Sequence, residues 1–216
     1  MRKKRKKPIK SRPAYAVVVE GKTEFWYLQM LKRNERNLNI NIEPKIPQKK
    51  TLDEQFKTTK ALAEDYTKVF WIVDLDVVLK ETKQAKKGRE SAIKKLEKYK
   101  VEIEEKFDNV ILIINNPCLE FWFLLHFEKT TKYFQKCERI EKLLKSKKLL
   151  PGYEKTRNFY VKQNNDIYTK LKPFQKEAIN NAKATKNFDF KNTKTGISQM
   201  DLFFEVKHLK AYFNKV

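Results

Sequence analysis

The chain has 216 residues, 40% of them hydrophobic, which is enough to bury a core as one domain and excludes wholesale disorder. Its 49 Lys and Arg residues exceed its 27 Asp and Glu residues, giving a formal charge of +22. This surplus predicts a polyanionic partner, with nucleic acid the first candidate. A genomic base bias that favours lysine codons is the alternative explanation of the same surplus.

The cysteines and the N-terminal segment predict a cytoplasmic protein. Cys118 and Cys137 belong to no C-x-x-C pair, so we expect neither a disulfide framework nor a zinc ribbon. The basic start at residues 1–7 has no apolar h-region after it, and no later segment is apolar over the length of a membrane span. Residues 1–13 are expected to form a basic tail, either solvated or in contact with phosphate.

The first predicted elements alternate between strand and helix. Residues 14–19 are apolar and β-branched, as expected of a strand buried on both faces. A helix follows with Thr23 as its predicted N-cap, and a weaker strand is predicted at 39–46. The spacing Thr51-Leu-Asp-Glu54 is typical of a capping box at the start of a second helix.

The alternation continues through the middle of the chain. A strand at 69–73 leads into Asp74-Leu-Asp76, which we expect to open a charged loop, and a helix at 89–100 and a strand at 110–114 come next. Pro117 is expected to begin a buried helix over 118–127. This order predicts an α/β fold with a doubly wound, mostly parallel sheet.

Only helices are predicted from about residue 132 onward. The last of them is expected to open with a capping box at Ser198-Gln-Met-Asp201. The aromatic residues of this half alternate with lysines, a pattern that fits either stacking on a nucleic-acid single strand or core packing. We therefore expect an α/β core over 14–130 and a C-terminal helical extension over 131–216 that packs on it.

Acidic residues follow the predicted strands at their carboxyl ends. Glu20 follows the first strand, Asp74 and Asp76 follow the third, and Glu120 lies just beyond the fourth. In open α/β sheets these ends meet at one edge, where ligands bind. Carboxylates in so basic a chain favour a bound cation, and oxygen ligands suit Mg²⁺ or Mn²⁺, with two ions expected.

Neighbouring residues complete the predicted site. Glu24 is expected to share the metal from the first helical turn, although a charge near a helix N-terminus is its ordinary role. Lys22 is expected to hold a phosphate oxygen and to take part in catalysis with Glu20 and Asp74. The residues expected to contact nucleic acid are Lys22, Asn116, Lys80, Lys86, Lys87 and Arg89.

Other chemistries find less support in the sequence. His126 and His208 are too few and too far apart for a zinc site, and no G-x-x-x-x-G-K-[ST] motif indicates an ATPase. Cys118 with His126 is a weak alternative as a thiol nucleophile, because cysteines in apolar helices are usually packing residues.

Three motifs together resemble the RloB family. They are VVVEGKTE at residues 17–24, DLD at 74–76 and NPCLEFWFLLHF at 116–127, and the similarity extends to the helical tail around 178–183. The third motif is the most distinctive. In place of the polar residues that often follow the Asp pair in this family, the chain has Val77-Val-Leu79.

The resemblance implies a Toprim-like fold and a metal-dependent nuclease that acts in restriction-associated or abortive-infection defence against phage. It implies that Glu20 is a metal ligand or general acid/base, that Asp74 and Asp76 are metal ligands, and that an ATPase subunit can be encoded beside the protein. Two alternatives stay open: a non-catalytic nucleic-acid-binding or assembly module, and a primase-type nucleotidyl transferase. The sequence does not indicate an oligomeric state.

Overall fold

The computed structural model describes residues 13–44, 50–86, 88–146, 149–185 and 187–213. The strands in these ranges are β1 (Tyr15–Val18), β2 (Ile40–Glu43), β3 (Lys68–Asp74), β4 (Val110–Asn116) and β5 (Ile197–Ser198). The helices of the first part are α1 (Lys22–Asn34), α2 (Leu52–Ala63), α3 (Leu75–Gln84), α4 (Ala92–Lys106) and α5 (Leu119–Leu125). The later helices are α6 (Cys137–Ser146), α7 (Arg157–Val161), α8 (Ile167–Leu171), α9 (Gln175–Lys183), α10 (Asp201–Glu205) and α11 (Lys207–Phe213).

The strands form one mostly parallel sheet in the order β2-β1-β3-β4-β5. The first four strands are parallel, and the short β5 pairs antiparallel with β4. The register aligns Val18 with Trp71 and Asp74 with Asn115. The carboxyl ends of β1, β3 and β4 therefore lie at the same edge of the sheet, as predicted.

Both faces of the sheet are covered by helices, which confirms the predicted α/β architecture. Because side chains alternate along a strand, Phe70 and Ile72 of β3 face one core and Val69, Trp71 and Val73 face the other. Helices α2, α3 and α4 pack on the second of these cores, whereas α1, α5 and the later helices pack on the first. None of the helices in the described ranges is long and apolar enough to cross a membrane.

Two helix starts were predicted with different success. The capping box at Thr51 is confirmed, since its hydroxyl accepts from the Glu54 N–H at 3.3 Å and the Glu54 carboxylate accepts from the Thr51 N–H at 2.7 Å. The prediction of Thr23 as an N-cap is wrong, because α1 already begins at Lys22 with Gly21 as its N-cap.

The predicted charged loop after Asp74 is also wrong, because α3 begins at Leu75. Leu75 and Val78 are buried three residues apart and supply the apolar side that anchors this helix. The charged residues that suggested a loop lie on the remaining, more exposed faces. Asp76 is therefore in the first turn of a helix, where its geometry is more fixed than in a loop.

The prediction of helices alone after residue 132 is wrong at β5. Ser198 opens no capping box; it pairs with Asn115 across β4 and β5, and its hydroxyl donates to the Asn115 side chain at 2.7 Å. Pro117 likewise precedes α5 without beginning it, since the helix starts at Leu119. The buried character predicted for α5 is confirmed, because all seven of its residues are buried.

The helical extension is joined to the core by buried acids as well as by β5. Glu35, at the end of α1, accepts from the Tyr168 hydroxyl at 2.8 Å and pairs with Lys172 at 2.8 Å. Asp166, the N-cap of α8, pairs with Arg33 of α1 at 2.8 Å. Most aromatic residues of the extension lie in the core. Their burial favours core packing over stacking on a nucleic-acid single strand as their role.

The expectation that the two cysteines form no disulfide framework is wrong, since Cys118 and Cys137 are bonded to each other. Cys118 caps the start of α5 and Cys137 is the first residue of α6, so the fold brings the two residues to a Cα–Cα distance of 5.9 Å. The two cysteines are 19 residues apart, and no motif between them predicts this contact. Only the packing of α5 against α6 places them together.

We predict that replacing both cysteines, Cys118→Ala with Cys137→Ala, lowers the free energy of unfolding by about 3 kcal/mol, because a cross-link across a loop of this length restricts the unfolded chain. Urea denaturation of the wild type, with and without a dithiol reductant, provides the comparison. The reduced wild type should unfold like the double variant. Two titratable thiols in unreduced, denatured wild-type protein would show that the bond does not form.

Candidate metal and phosphate site

A cleft of about 490 Å³ lies at the carboxyl edge of the sheet, between the starts of α1 and α3. Its charged lining residues are Glu20, Glu24, Asp74, Asp76, Lys22 and Lys155. We call this the acidic cleft. It unites four of the five carboxylates that were predicted as metal ligands, although they come from two separate parts of the chain.

Glu24 and Asp74 lie side by side in the acidic cleft, with Glu24 only 6% exposed and Asp74 half-buried. Their carboxyl groups are close enough to share a proton. A hydrogen bond between two carboxyl groups needs a proton on one of them. Glu24 Oε2 is buried and has no hydrogen-bond donor among the described residues, which is costly unless a ligand satisfies it.

Burial raises the pKa of every carboxyl group at the bottom of this cleft. The pKa of Asp74 lies well above its ordinary value because of burial and then because of the neighbouring charge on Glu24. Burial also raises the pKa of Glu24. At Asp76, burial raises the pKa to about 6. The pair of Glu24 and Asp74 therefore retains a proton more readily than exposed carboxylates do.

Gly21 allows the Glu24 carboxylate to fold back over the start of α1. A Cβ atom at position 21 would lie 2.3 Å from Glu24 Oε2, closer than any two such atoms approach. Gly21 therefore leaves room for the Glu24 carboxylate in addition to forming the turn after β1. This is a physical reason for glycine at a position where the sequence alone suggested only a strand-to-helix connection.

The donor set of the acidic cleft suits an Mg²⁺ or Mn²⁺ ion that keeps some of its water ligands. It suits less well an ion that protein ligands enclose completely. Across the described part of the chain, no three of the predicted carboxylates bring one oxygen each within 4.8 Å of one another. Mg²⁺ commonly keeps several waters and takes one or two carboxylates together with substrate phosphate. Glu24 Oε2 and the Asp74 carboxylate would provide such a pair of hard oxygen ligands.

Glu120, the fifth predicted ligand, lies behind the cleft and is fully buried. Its Oε1 pairs with Lys155 Nζ at 2.9 Å and accepts from the Tyr153 hydroxyl at 2.9 Å. Its Oε2 lies 2.9 Å from the Cys137 sulfur, a close contact and not a hydrogen bond, since a disulfide sulfur carries no hydrogen. The partner that its burial in an apolar helix required is thus a lysine.

Sequence reasoning missed Lys155, which lies between α6 and α7 and lines the acidic cleft. Burial alone would lower its pKa, but the Glu120 carboxylate outweighs burial and raises it, so the amine stays charged. The only signal in the sequence was indirect. A glutamate inside the apolar run of α5 needs a cation, yet nothing near residue 155 identifies which of the many lysines supplies it.

The family model described as RloB-like protein matches residues 15–206 of this chain, a range that contains every residue of the acidic cleft. The chain belongs to the RloB-like family. Comparison with the curated proteins and with the solved structures gave no match.

The basic residues predicted to contact nucleic acid are distributed unevenly in this RloB-like protein. Lys22 begins α1, is exposed and lines the acidic cleft, and Lys80 lies one turn after Asp76 on α3. Lys86 and Arg89 are exposed in the connection between α3 and α4, away from the cleft lining. Lys87 falls outside the described residues, as do residues 1–12 of the predicted tail.

Asn116, another predicted contact, is buried in this structure. Its side chain is 1% exposed, and its amide donates to the carbonyls of Thr193 at 2.8 Å and Thr195 at 2.7 Å. It therefore holds the segment before β5 against the end of β4. Of the five predicted contacts that fall in the described ranges, Lys22 alone lines the cleft.

We predict that Asp74→Asn stabilises the metal-free protein at neutral pH by on the order of 1 kcal/mol, a gain typical of relieving an unfavourable functional site. Carboxyl groups with a raised pKa in the folded state favour folding fully in acid. That contribution is lost as the pH rises from their ordinary values through the raised ones, a window that ends near 6 for Asp76. Denaturation in chelator at neutral and at acidic pH measures the difference.

The gain should shrink in acid, where the wild-type carboxyl is protonated. Asp108→Asn, an exposed acid at the opposite edge of the sheet, serves as the matched control and should change little. Added Mn²⁺ should stabilise the wild type and the control more than Asp74→Asn. A less stable Asp74→Asn at neutral pH, or equal stabilisation of all three by Mn²⁺, would contradict this assignment.

Proposed function

We propose that this RloB-like protein is a divalent-metal-dependent nuclease of the Toprim type that hydrolyses phosphodiester bonds in nucleic acid. The observation that carries the proposal is the acidic cleft itself. Buried carboxyl groups with raised pKa values meet there at the edge of a parallel sheet, in a chain with a surplus of 22 positive charges. Such a concentration of acid is costly unless a cation resides in it, and the rest of the surface attracts polyanions.

Glu24 and Asp74, with Asp76 beside them, are the residues proposed to hold Mg²⁺ or Mn²⁺. Bound there, the metal would lower the pKa of a water molecule and stabilise the charge that develops on the phosphate. Glu20 is half-buried at the end of β1, closer to solvent than Glu24, and is proposed to position the attacking water or to take its proton. We also propose that a second ion of the same kind binds in this cleft, as the sequence analysis expects.

Lys22 is proposed to bind a phosphate oxygen at the entrance of the cleft. It is the first residue of α1, a helix of 13 residues whose N-terminal N–H groups favour an anion. The same helix start carries Glu24 on its buried side. A phosphodiester in the cleft would therefore meet a lysine and a helix N-terminus on one side and the carboxylates on the other.

The biological setting is proposed from the family resemblance. We propose that the nuclease is the effector of a phage-defence system and that an ATPase subunit encoded beside it controls its activity. The activity assay should therefore include this neighbour as well as the isolated chain. A primase-type transferase would use the same carboxylates, so nucleotide incorporation is measured in parallel.

We predict that Glu20→Ala lowers phosphodiester cleavage at least a hundredfold while nucleic-acid binding changes less than about threefold, because an active-site carboxylate acts mainly in the transition state. Binding depends instead on many dispersed Lys and Arg contacts. Cleavage of labelled DNA and RNA with Mg²⁺ or Mn²⁺ measures the first quantity, and fluorescence anisotropy in chelator measures the second.

Glu64→Ala is the matched control, an exposed glutamate at the end of α2 and therefore near the opposite edge of the sheet. It should cleave like the wild type. If Glu20→Ala retains full activity after contaminating nuclease is excluded, the nuclease proposal fails. Binding without metal-dependent cleavage by any variant, even with the neighbouring ATPase, would instead support the non-catalytic binding module.

A further inference from the structure

Lys155 occupies a boundary position between the helical extension and the acidic cleft. Its side chain lines the cleft, and 39% of it is exposed to solvent, so a ligand can reach the amine. Its Nζ lies 2.9 Å from Glu120 Oε1 and 3.4 Å from Glu141 Oε1. The third neighbour of the ammonium is the Cys137 sulfur at 3.7 Å. A disulfide sulfur is a weak acceptor, so a phosphate oxygen would compete only with that sulfur for the third hydrogen.

The position of Lys155 is fixed from behind by a buried network. Glu120 is 0% exposed, and the Tyr153 hydroxyl that donates to it lies 2.7 Å from the hydroxyl of Tyr160. Tyr160 in turn packs against Trp26 of α1, with ring centroids 5.6 Å apart, and Trp26 also lines the cleft. A flexible lysine held in this way loses little further freedom when a ligand binds.

Lys155 places a positive charge inside a cleft whose other lining residues are mainly acidic. The only described lysines that line the acidic cleft are Lys22 and Lys155, one from α1 and one from the extension. Glu20, Glu24, Asp74 and Asp76 line the same space. A phosphodiester brought to these carboxylates needs positive groups beside it, because otherwise the carboxylates repel it.

We propose that Lys155 is a phosphate-binding residue of the acidic cleft and that Glu120 is the positioning residue that holds it there. The C-terminal helical extension thus contributes directly to recognition of the nucleic-acid backbone. This inference rests on the proposed function for its ligand, the phosphodiester of nucleic acid. It assigns phosphate recognition to a lysine of this segment that the sequence did not single out, and it gives the buried Glu120 a role other than metal binding.

The test measures binding of a short fluorescent single-stranded DNA in chelator, where no metal-dependent cleavage occurs. Lys155→Met should weaken binding about tenfold, the loss expected for one hydrogen bond to a charged group. Lys155→Arg, which keeps the charge, should recover most of the affinity. Lys57→Met, an exposed lysine of α2 on the other side of the sheet, is the control and should stay within about twofold of the wild type.

A second pair of measurements separates recognition from folding. Lys155→Met leaves Glu120 buried without its cation, so the double variant Lys155→Met with Glu120→Gln removes both charges and decides the matter if the single variant does not fold. The double variant should also bind about tenfold more weakly, and the dependence of its affinity on salt should decrease by roughly 0.7 in logarithmic slope, one phosphate contact on a single strand. Glu120→Gln alone should show a smaller loss with Lys155 still present.

The proposal is overturned if the folded double variant binds with the affinity and salt dependence of Lys57→Met. That result would leave the nuclease proposal intact, since cleavage is assayed separately with metal. Conversely, a wild type that binds through Lys155 but cuts no nucleic acid would defeat the nuclease proposal and support this one.

Discussion

The close approach of the Glu24 and Asp74 carboxyl groups is the constraint on which the arrangement of the carboxyl edge of the sheet depends. Two acids in a buried space repel each other unless a proton or a cation lies between them. They stay together because the elements that carry them are fixed elsewhere: β1 and β3 are paired in register, and their central residues are 0–1% exposed. The stability of the sheet thus maintains a local arrangement that is unfavourable by itself.

Glu120, a second buried acid, differs from Glu24 in having its charge paired within the protein. Glu120 has its own cation in Lys155 and a hydroxyl donor in Tyr153, so it needs no external ion. Glu24, by contrast, has an oxygen with no hydrogen-bond partner in the described part of the chain. The charge of Glu120 raises the pKa of Glu24 and the charge of Lys155 lowers it, but of the two carboxylates Glu120 is the one in an ion pair with Lys155. Since both side chains are buried, this difference in partners, more than burial, supports the proposed positioning role of Glu120 and the proposed ligand-binding role of Glu24.

The sequence predicted the sheet and its acidic edge because both depend on local patterns. An apolar β-branched run followed by Glu20-Gly21, and another followed by Asp74, identify strand ends without knowledge of their neighbours. The features that it did not predict depend on contacts distant in sequence. Ser198 pairs with Asn115 across 83 residues, the Cys118–Cys137 bond depends on how α5 packs on α6, and Lys155 is one lysine among many until Glu120 selects it. The error at α3 was of another kind, since only Leu75 and Val78 of its ten residues are buried and its charged residues resembled those of a loop.

The helical extension and the α/β core divide the charges of the cleft between them. The sheet edge and the starts of α1 and α3 supply the carboxylates, and the extension supplies Lys155, held in turn by a glutamate of α5. Because β5 pairs with β4 and because Glu35 and Asp166 bind residues across the same boundary, this lysine cannot move far from the acids. An extension that only covered the core would need apolar contacts alone. The buried polar links between Glu35, Asp166 and their partners fix relative position, which matters for a site whose opposite charges come from both parts of the chain.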